Sequence, residues 1–244
     1  MRLAGLPPTK AGEGVSKDSR FVLLVSGSPR GASAELLWEL ASGMSFVVAV
    51  DSGAEWCRAA GVIPDLLIGD LDSCTAESRA AFATQDVEVL VFPVDKNASD
   101  LELAIDELVT RGFSDLVATN VTGGRTDHEL AALGNLVAAG ERGLAVTAVE
   151  PQETLIFMNA PGVRQELKLN FGEGISLENA PTVSLIPWGA AAEVSASGFK
   201  WPLEKATLLP TASRGVSNIP VSAEPRIYLH QGALIVVVQT PALP

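Results

Sequence analysis

Asp65-Leu66-Leu67-Ile68-Gly69-Asp70-Leu71-Asp72-Ser73 reads as a buried strand that ends on a glycine and releases two carboxylates at i and i+2. Leu66 to Ile68 form the apolar run, and Gly69 frees the backbone to turn. Side chains alternate in an extended segment, so Asp70 and Asp72 point the same way while Leu71 points back. Two carboxylates on one face repel and raise each other's pKa unless a cation sits between them. A hard divalent ion with oxygen ligands is the natural occupant, and magnesium ordinarily brings phosphate with it. In isolation the same segment is also an ordinary solvated Asp-rich turn. The surroundings decide between the two.

Upstream, Phe21 to Val25 reads as a strand ending in Ser26-Gly27-Ser28-Pro29, a βα turn with Pro29 suited to an early helical position. Glu35 to Leu40 is a short helix, and Phe46 to Val50 is a second buried strand ending at Asp51. Ser52 and Glu55 have capping-box spacing, so a helix is expected from there to about Ala60, stopped by Gly61.

Downstream, Thr75 to Phe82 reads as helix and Val87 to Phe92 as a fourth strand. Ser99 and Glu102 form a second capping box. Leu101, Ala104, Ile105, Leu108 and Val109 then recur with the period of an amphipathic helix. Asp100 falls in the first turn, where the helix dipole favours a carboxylate in any case. A fifth strand, Leu116 to Val121, leads into Gly123-Gly124-Arg125-Thr126-Asp127-His128-Glu129, with Thr126 and Glu129 as a third capping box. The glycine pair lets backbone N–H groups approach an anion, and Arg125 adds a fixed charge. Val146 to Val149 is a sixth strand.

Apolar strands alternating with helices predict a parallel sheet covered on both faces. Ligands of such sheets bind outside the carboxyl ends of the strands. Asp51, Asp70, Asp72, Asp100, Arg125 and Asp127 all follow strands or open the next helix, and are expected to converge there. Beyond about residue 152 helical periodicity fades. Short strand-like pieces at Thr154 to Phe157, Val183 to Ile186, Arg226 to Leu229 and Ala233 to Gln239 are separated by turn residues, Gly172, Gly174, Pro187-Trp188-Gly189 and Gln231-Gly232 among them. The expected organisation is a flexible tail over 1–20, an α/β domain over 21–152, and an antiparallel β-sandwich over 153–244.

Composition narrows the function. Apolar residues make up 47% of 244, enough for packed cores, and the net charge of −12 disfavours nucleic acid or an anionic membrane as partner. An anionic ligand therefore needs a metal, local basic side chains and backbone N–H groups. Cys57 and Cys74 form no CxxC pair, and 2 histidines build no ordinary zinc site; both facts fit a reducing cytoplasm. The strongest apolar run, Ala233 to Val238, has the length of a strand rather than of a membrane span. Residues 1–20 show no apolar core of a signal peptide.

In order and spacing, these pieces resemble the thiamine pyrophosphokinase (thiamine diphosphokinase) family from about residue 20 onward. The segments that carry the resemblance in the first domain are Asp51-Ser52-Gly53-Ala54, Pro64 to Ser73, Lys96 to Glu102 and Gly123 to His128. In the second they are Val183 to Pro187, Gly198-Phe199-Lys200-Trp201-Pro202-Leu203 and Gly215-Val216-Ser217-Asn218. Two positions depart from the family pattern: Asn97 stands where an aspartate is usual, and Ser52 where a glycine is usual.

The resemblance implies an α/β catalytic domain followed by a thiamine-binding and dimerising β-sandwich. It implies transfer of a pyrophosphoryl group from ATP to the hydroxyl of thiamine, with Mg²⁺. On that basis Asp70, Asp72 and Asp100 hold the metal against the triphosphate, while Lys96, Arg125 and the Gly123-Gly124 backbone orient phosphates. Asp127 lies nearest the reacting hydroxyl, as base or orienter, and Asp51 serves the nucleotide or supports the residues that touch it. Trp201, Ser217 and Asn218 match the thiamine-binding positions, with the site completed across a homodimer. The lost charge at Asn97 leaves a second reading open, a non-catalytic or impaired thiamine- or nucleotide-binding module of the same fold. A metal-dependent nucleotide-sugar glycosyltransferase would account for D-x-D but not for the second domain.

Overall fold

The computed structural model describes residues 21–70, 74–93, 97–171 and 180–239. The expected tail over 1–20 and the glycines at 172 and 174 lie outside them. Among the described residues two compact units form, one of 21–135 with 148–151, the other of 136–147 and everything from 152 on.

In the first unit, β1 (Phe21–Val25), β2 (Phe46–Val50), β3 (Leu66–Gly69), β4 (Glu88–Val91) and β5 (Asp115–Thr119) alternate with α1 (Ala34–Ser42), α2 (Gly53–Ala59), α3 (Ala76–Ala83) and α4 (Asp100–Thr110). Then come α5 (Thr126–Glu141) and β6 (Ala145–Val149), which the division into units cuts. Every pairing from β1 to β5 is parallel, in the order β5-β1-β2-β3-β4. The sequence explains this: Val22 to Val25, Val47 to Val50 and Leu66 to Ile68 are buried without a break, as strands covered on both faces must be. The chain winds outward from β1 to β4 and then returns to the far side of β1 as β5. The order therefore reverses between β1 and β5, the kind of place where an open α/β sheet has its ligand crevice. Edge strand β4 departs from the buried pattern. Val89 and Val91 are exposed, and its first residue, Glu88, is gripped by both Nη atoms of Arg111 at 2.8 and 2.7 Å.

The second unit is antiparallel: β7 (Glu153–Ala160), β8 (Glu166–Lys168), β9 (Thr182–Pro187), β10 (Ala192–Ser197), β11 (Leu203–Leu208) and β12 (Arg226–Gln239). The last strand organises it. Its first half pairs with β8 and β10, its second half with β7 and β9, and β10 also pairs with β11. Two small sheets thus share β12. The switch is made by one extra residue: Leu229 faces Val194 and Gln231 faces Glu193, so His230 is left over. Because side chains alternate, this insertion moves the core-facing set from Ile227 and Leu229 to Leu234, Val236 and Val238. These meet Ile156, Met158, Val183, Leu185, Val194 and Phe199 in one core.

The structure corrects the sequence here. The expected turn at Gln231-Gly232 is the middle of a continuous 14-residue strand, with Gly232 at φ 93° carrying the bend. Strands β8, β10 and β11 have no counterpart among the strand-like pieces of the sequence. Nor does Pro29 open a helix: it lies in a turn, and α1 starts at Ala34 with the Ser33 hydroxyl accepting from Leu36 N.

Candidate active site

The loop after β1 is tied to the loop after β5. Ser26 N donates to Thr119 O and Ser28 N to Asn120 O, each at 3.0 Å, so the ladder runs past the ends of both strands. The Ser28 hydroxyl donates to the Thr122 carbonyl. Asn120 takes a left-handed conformation, φ 60°, and its Oδ1 accepts Ala32 N at 2.6 Å. The loop after β2 presses on the same place. A Cβ on Gly53 would lie 2.1 Å from Val25 O, so that position excludes a side chain, and one on Gly27 would lie 2.0 Å from Ser52 Oγ and displace that hydroxyl. Ser52 consequently faces Gly27 O, at 3.5 Å, and makes no cap on α2. The expected Ser52–Glu55 capping box does not form. Glu55 instead accepts Thr75 N and Oγ1, each at 2.9 Å, bracing the start of α3.

Asp51 leaves β2 with φ 45°, its N–H on Ile68 O at 3.0 Å. Its carboxylate packs on Gly69: a Cβ there would be 1.8 Å from Asp51 Oδ1, and Gly69 has φ 144°. The Cys74 thiol donates to the Asp51 carbonyl at 3.3 Å. Thus the glycine that ends β3 makes room for one carboxylate, Asp51, and delivers the next, Asp70. Asp100 opens α4 behind Ser99, whose hydroxyl accepts Glu102 N at 3.2 Å as the capping spacing predicts. Asn135 Nδ2 on α5 donates to that same hydroxyl at 3.1 Å.

After β5, Gly123 turns at φ 83° and donates its N–H to Glu129 Oε2 at 3.0 Å. The expected Thr126–Glu129 box is replaced by this longer reach, because Thr126 is already the first residue of α5. Arg125 and Asp127 pair bidentately, Nε to Oδ1 at 3.1 Å and Nη2 to Oδ2 at 2.6 Å, with both side chains well exposed. The hydrogen bond from Arg125, with help from His128 N, holds the Asp127 carboxyl below the ordinary carboxylate range. While so paired, Asp127 accepts a hydrogen bond well and a proton poorly.

Asp51, Asp70, Asp100, Asn120, Arg125 and Asp127 line one cleft of about 840 Å³ at the carboxyl ends of the strands, a size suited to a small-molecule ligand. Gly124 lines it too; Gly123 stands one residue back. Asp72 and Lys96 lie outside the described residues. The cleft also takes in Ser26, Ser28 and Asn135. The Ser26-Gly27-Ser28-Pro29 loop looks like an ordinary turn in the sequence, whereas Asn120 carries only one signal, the tolerance of asparagine for φ above zero right after a strand.

In the second unit, Trp201, Ser217 and Asn218 come together. Trp201 is 52% exposed, with Lys200 Nζ 4.8 Å from its ring centroid. Ser217, φ 57°, donates its N–H to Ser184 Oγ at 2.9 Å. Asn218 is 4% exposed, and its carboxamide bonds the backbone of Trp201 and Ile219.

Comparison with known proteins matches each part in turn. Residues 37–148 match the thiamin pyrophosphokinase catalytic domain, and residues 167–234 the thiamin pyrophosphokinase vitamin B1 binding domain. The thiamine pyrophosphokinase of Bacillus subtilis (strain 168) is 26% identical over 194 residues, 79% of this chain and 86% of its own length. A crystal structure of thiamine pyrophosphokinase from Bacillus subtilis has a TM-score of 0.76 at 24% identity, covering 91% of this chain and 99% of that one. That of thiamin pyrophosphokinase from Geobacillus thermodenitrificans has a TM-score of 0.70 at 25% identity, covering 91% and 98%. Yeast thiamin pyrophosphokinase shares the fold, with a TM-score of 0.75 at 14% identity over 96% of this chain and 88% of that one. With the catalytic and vitamin-binding halves matched in their proper order, the chain belongs to the thiamin pyrophosphokinase family.

Proposed function

We propose that this chain transfers a pyrophosphoryl group from ATP to the hydroxyethyl oxygen of thiamine, giving thiamine diphosphate and AMP. The observation that carries the reading is the cleft at the sheet's switch point, lined by Asp70, Asp100, Arg125 and Asp127 in a chain that belongs to this family. In the reaction the alcohol oxygen bonds to the β-phosphorus and gives up its proton to solvent, the bond from that phosphorus to the α-phosphate oxygen breaks, and AMP leaves with the electron pair. The protein's contribution is positioning and electrostatics, as in phosphoryl transfer generally.

Among the described residues, five carboxylates (Asp51, Asp70, Asp100, Asp127 and Glu129) against one arginine line the cleft, and they cannot hold a triphosphate unaided, because the like charges repel. Mg²⁺ fits this donor set, since it is ordinarily bound by one or two carboxylates together with phosphate oxygens and water. Asp70 and Asp100 would hold it, with Asp72 completing the set; bound there, it supplies positive charge to the phosphate oxygens. Arg125 and the backbone around Gly124 orient phosphate oxygens, joined by Lys96, and Asp51 serves the nucleotide. Asp127 orients the thiamine hydroxyl as a hydrogen-bond acceptor. Arg125 depresses its basicity in the ligand-free pair, which argues for that part rather than for a strong base. Trp201 and Ser217 serve thiamine in the β-rich part.

The proposal extends to a homodimer, read out by sedimentation velocity, and to a cytoplasmic setting. The division of labour is a catalytic part over 21–152 and a thiamine-binding, dimerising part over 153–244. No helix among the described residues is long and apolar enough to cross a membrane.

The decisive test is AMP formation from ATP, thiamine and Mg²⁺. Thiamine-dependent AMP release supports the reading; ATP and thiamine binding without AMP would replace it with the non-catalytic module. Asp70→Asn should abolish turnover and weaken Mn²⁺ binding measured by electron paramagnetic resonance, with an unchanged melting temperature in metal-free buffer. Near-native activity in that variant would remove Asp70 from the metal site.

A further inference from the structure

Trp201 stands exposed on a backbone that is unusually well held. Phe199, two residues earlier, is in the core, 4% exposed. On either side of it the chain is laced to the segment around Asn218: Lys200 N donates to Ile219 O at 2.8 Å, and Val221 N to Gly198 O at 2.8 Å. That segment is in turn paired to β9, Val183 N donating to Asn218 O at 2.8 Å and Asn218 N to Val183 O at 2.9 Å. Asn218 therefore sits between a core strand and the tryptophan.

Its side chain is almost fully occupied there. Oδ1 accepts from Trp201 N at 3.1 Å and from Ile219 N at 2.9 Å, while Nδ2 donates to Trp201 O at 2.7 Å. A carboxamide has two acceptor lone pairs and two N–H donors, so both lone pairs and one donor are taken. One N–H remains, on a residue that is only 4% exposed. A group so engaged offers a ligand little. It grips the N–H and C=O of Trp201 together, as a neighbouring strand would, and thereby fixes the backbone angles from which the indole projects.

We propose that Asn218 is a positioning residue, acting on thiamine through Trp201 rather than by touching it. The proposal rests on the thiamine reading given above and refines one residue of it. Holding the platform in place before the ligand arrives removes the cost of ordering it on binding, which is how preorganisation improves affinity.

The test is a double-mutant cycle on thiamine KM, with kcat and the KM for ATP measured alongside. Trp201→Ala should raise thiamine KM about tenfold, as loss of one stacking or cation–π contact implies. Asn218→Ala should raise it by a similar factor, leaving the ATP KM in place. The double variant should be no worse than Trp201→Ala alone. If instead the two factors multiply, Asn218 contacts thiamine itself and the proposal is overturned. Should the alanine variant fail to fold, Asn218→Ser closes the same cycle, and hydrogen exchange on the unaltered protein gives an independent measurement. The clamp requires the Trp201 amide to exchange slowly although the residue is half exposed; exchange at the rate of an unpaired loop amide overturns it. A Trp201→Ala variant with unchanged thiamine KM would sink the thiamine reading of Trp201 first, and is distinguishable because the cycle then has no effect to couple.

Discussion

Gly69→Ala tests how the cleft is built without altering any of its charged groups. The new methyl would stand 1.8 Å from Asp51 Oδ1 and 2.6 Å from its Cγ, far inside contact distance, at φ 144°. The carboxylate must therefore rotate away or the turn into Asp70 must open, and either movement is on the order of 1 Å, set by a normal contact of about 3.4 Å or more. Holding a side chain in this backbone region costs about 1–3 kcal/mol, which in a chain of this length lowers the melting temperature by roughly 2–12 °C. Gly61→Ala is the control: φ is 68° there, and a Cβ would meet nothing within 4 Å. That variant should lose stability of the same order and keep its activity. Gly69→Ala should in addition lose about 10²-fold in kcat/KM for ATP, the usual penalty for misplacing a catalytic group by about 1 Å. The assay is AMP release, with thermal melts of both variants. If Gly69→Ala stays within about threefold of Gly61→Ala in kcat/KM, the contact between Asp51 and Gly69 does not position the site.

Lys200→Met should tighten thiamine binding by about two- to fivefold at low salt, because the ammonium over Trp201 competes with a cationic ligand for the ring, and the gain should shrink as salt screens the charge. Weaker binding instead would make Lys200 a support of the platform. Burial pushes the Cys57 thiol up to about 12 from an ordinary value of 9.0. The unfolded chain therefore gives up this proton first, and stability present below about pH 9 is lost as pH rises toward 12. Cys57→Ala should flatten the fall in melting temperature over that range; an unchanged slope refutes the assignment. The Arg111 hydrogen bonds hold the Glu88 carboxyl below its ordinary value. What they contribute is present above that value and lost as pH falls through the depressed one. Arg111→Met should thus cost about 0–1 kcal/mol near neutrality, as expected for a half-exposed pair, and the gap to the parent protein should close in acid; a gap that widens in acid would refute the pairing.

The first unit was legible because its signals are local. Val22 to Val25 and Leu66 to Ile68 are uninterrupted apolar runs, and the charged residues sit directly after them, so the strand ends could be placed without knowing the sheet order. The capping boxes were less reliable guides. Ser52 and Thr126 have the right spacing, but the first is drawn toward the Gly27 carbonyl of a distant loop and the second lies already within the helix, while Glu129 reaches past it to Gly123. Close approach of segments far apart in sequence overrides a local preference of this size. The second unit was harder. Strand β12 carries its information in a parity change at His230, which looks like a turn because Gln231-Gly232 follows it. The part Asn218 plays depends on three backbone partners brought together by two bridges, and nothing in Gly215-Val216-Ser217-Asn218 announces it.

That one strand serves both small sheets has a consequence for synthesis. Ribosomes deliver the chain from its N-terminus at about 5–20 residues per second, and domains tend to fold as they emerge. The pairings that join β1 to β5 are all made by residue 119, so that part of the parallel sheet can assemble before the following strands are made. Strands β7, β8, β9 and β10 each wait for a partner that begins only at Arg226. Until it arrives, the apolar faces of Ile156, Met158, Val183, Leu185 and Val194 have no central strand to close over them. A stalled or prematurely ended chain therefore presents a finished first half joined to an open, adhesive second half, the form most exposed to chaperones and proteases.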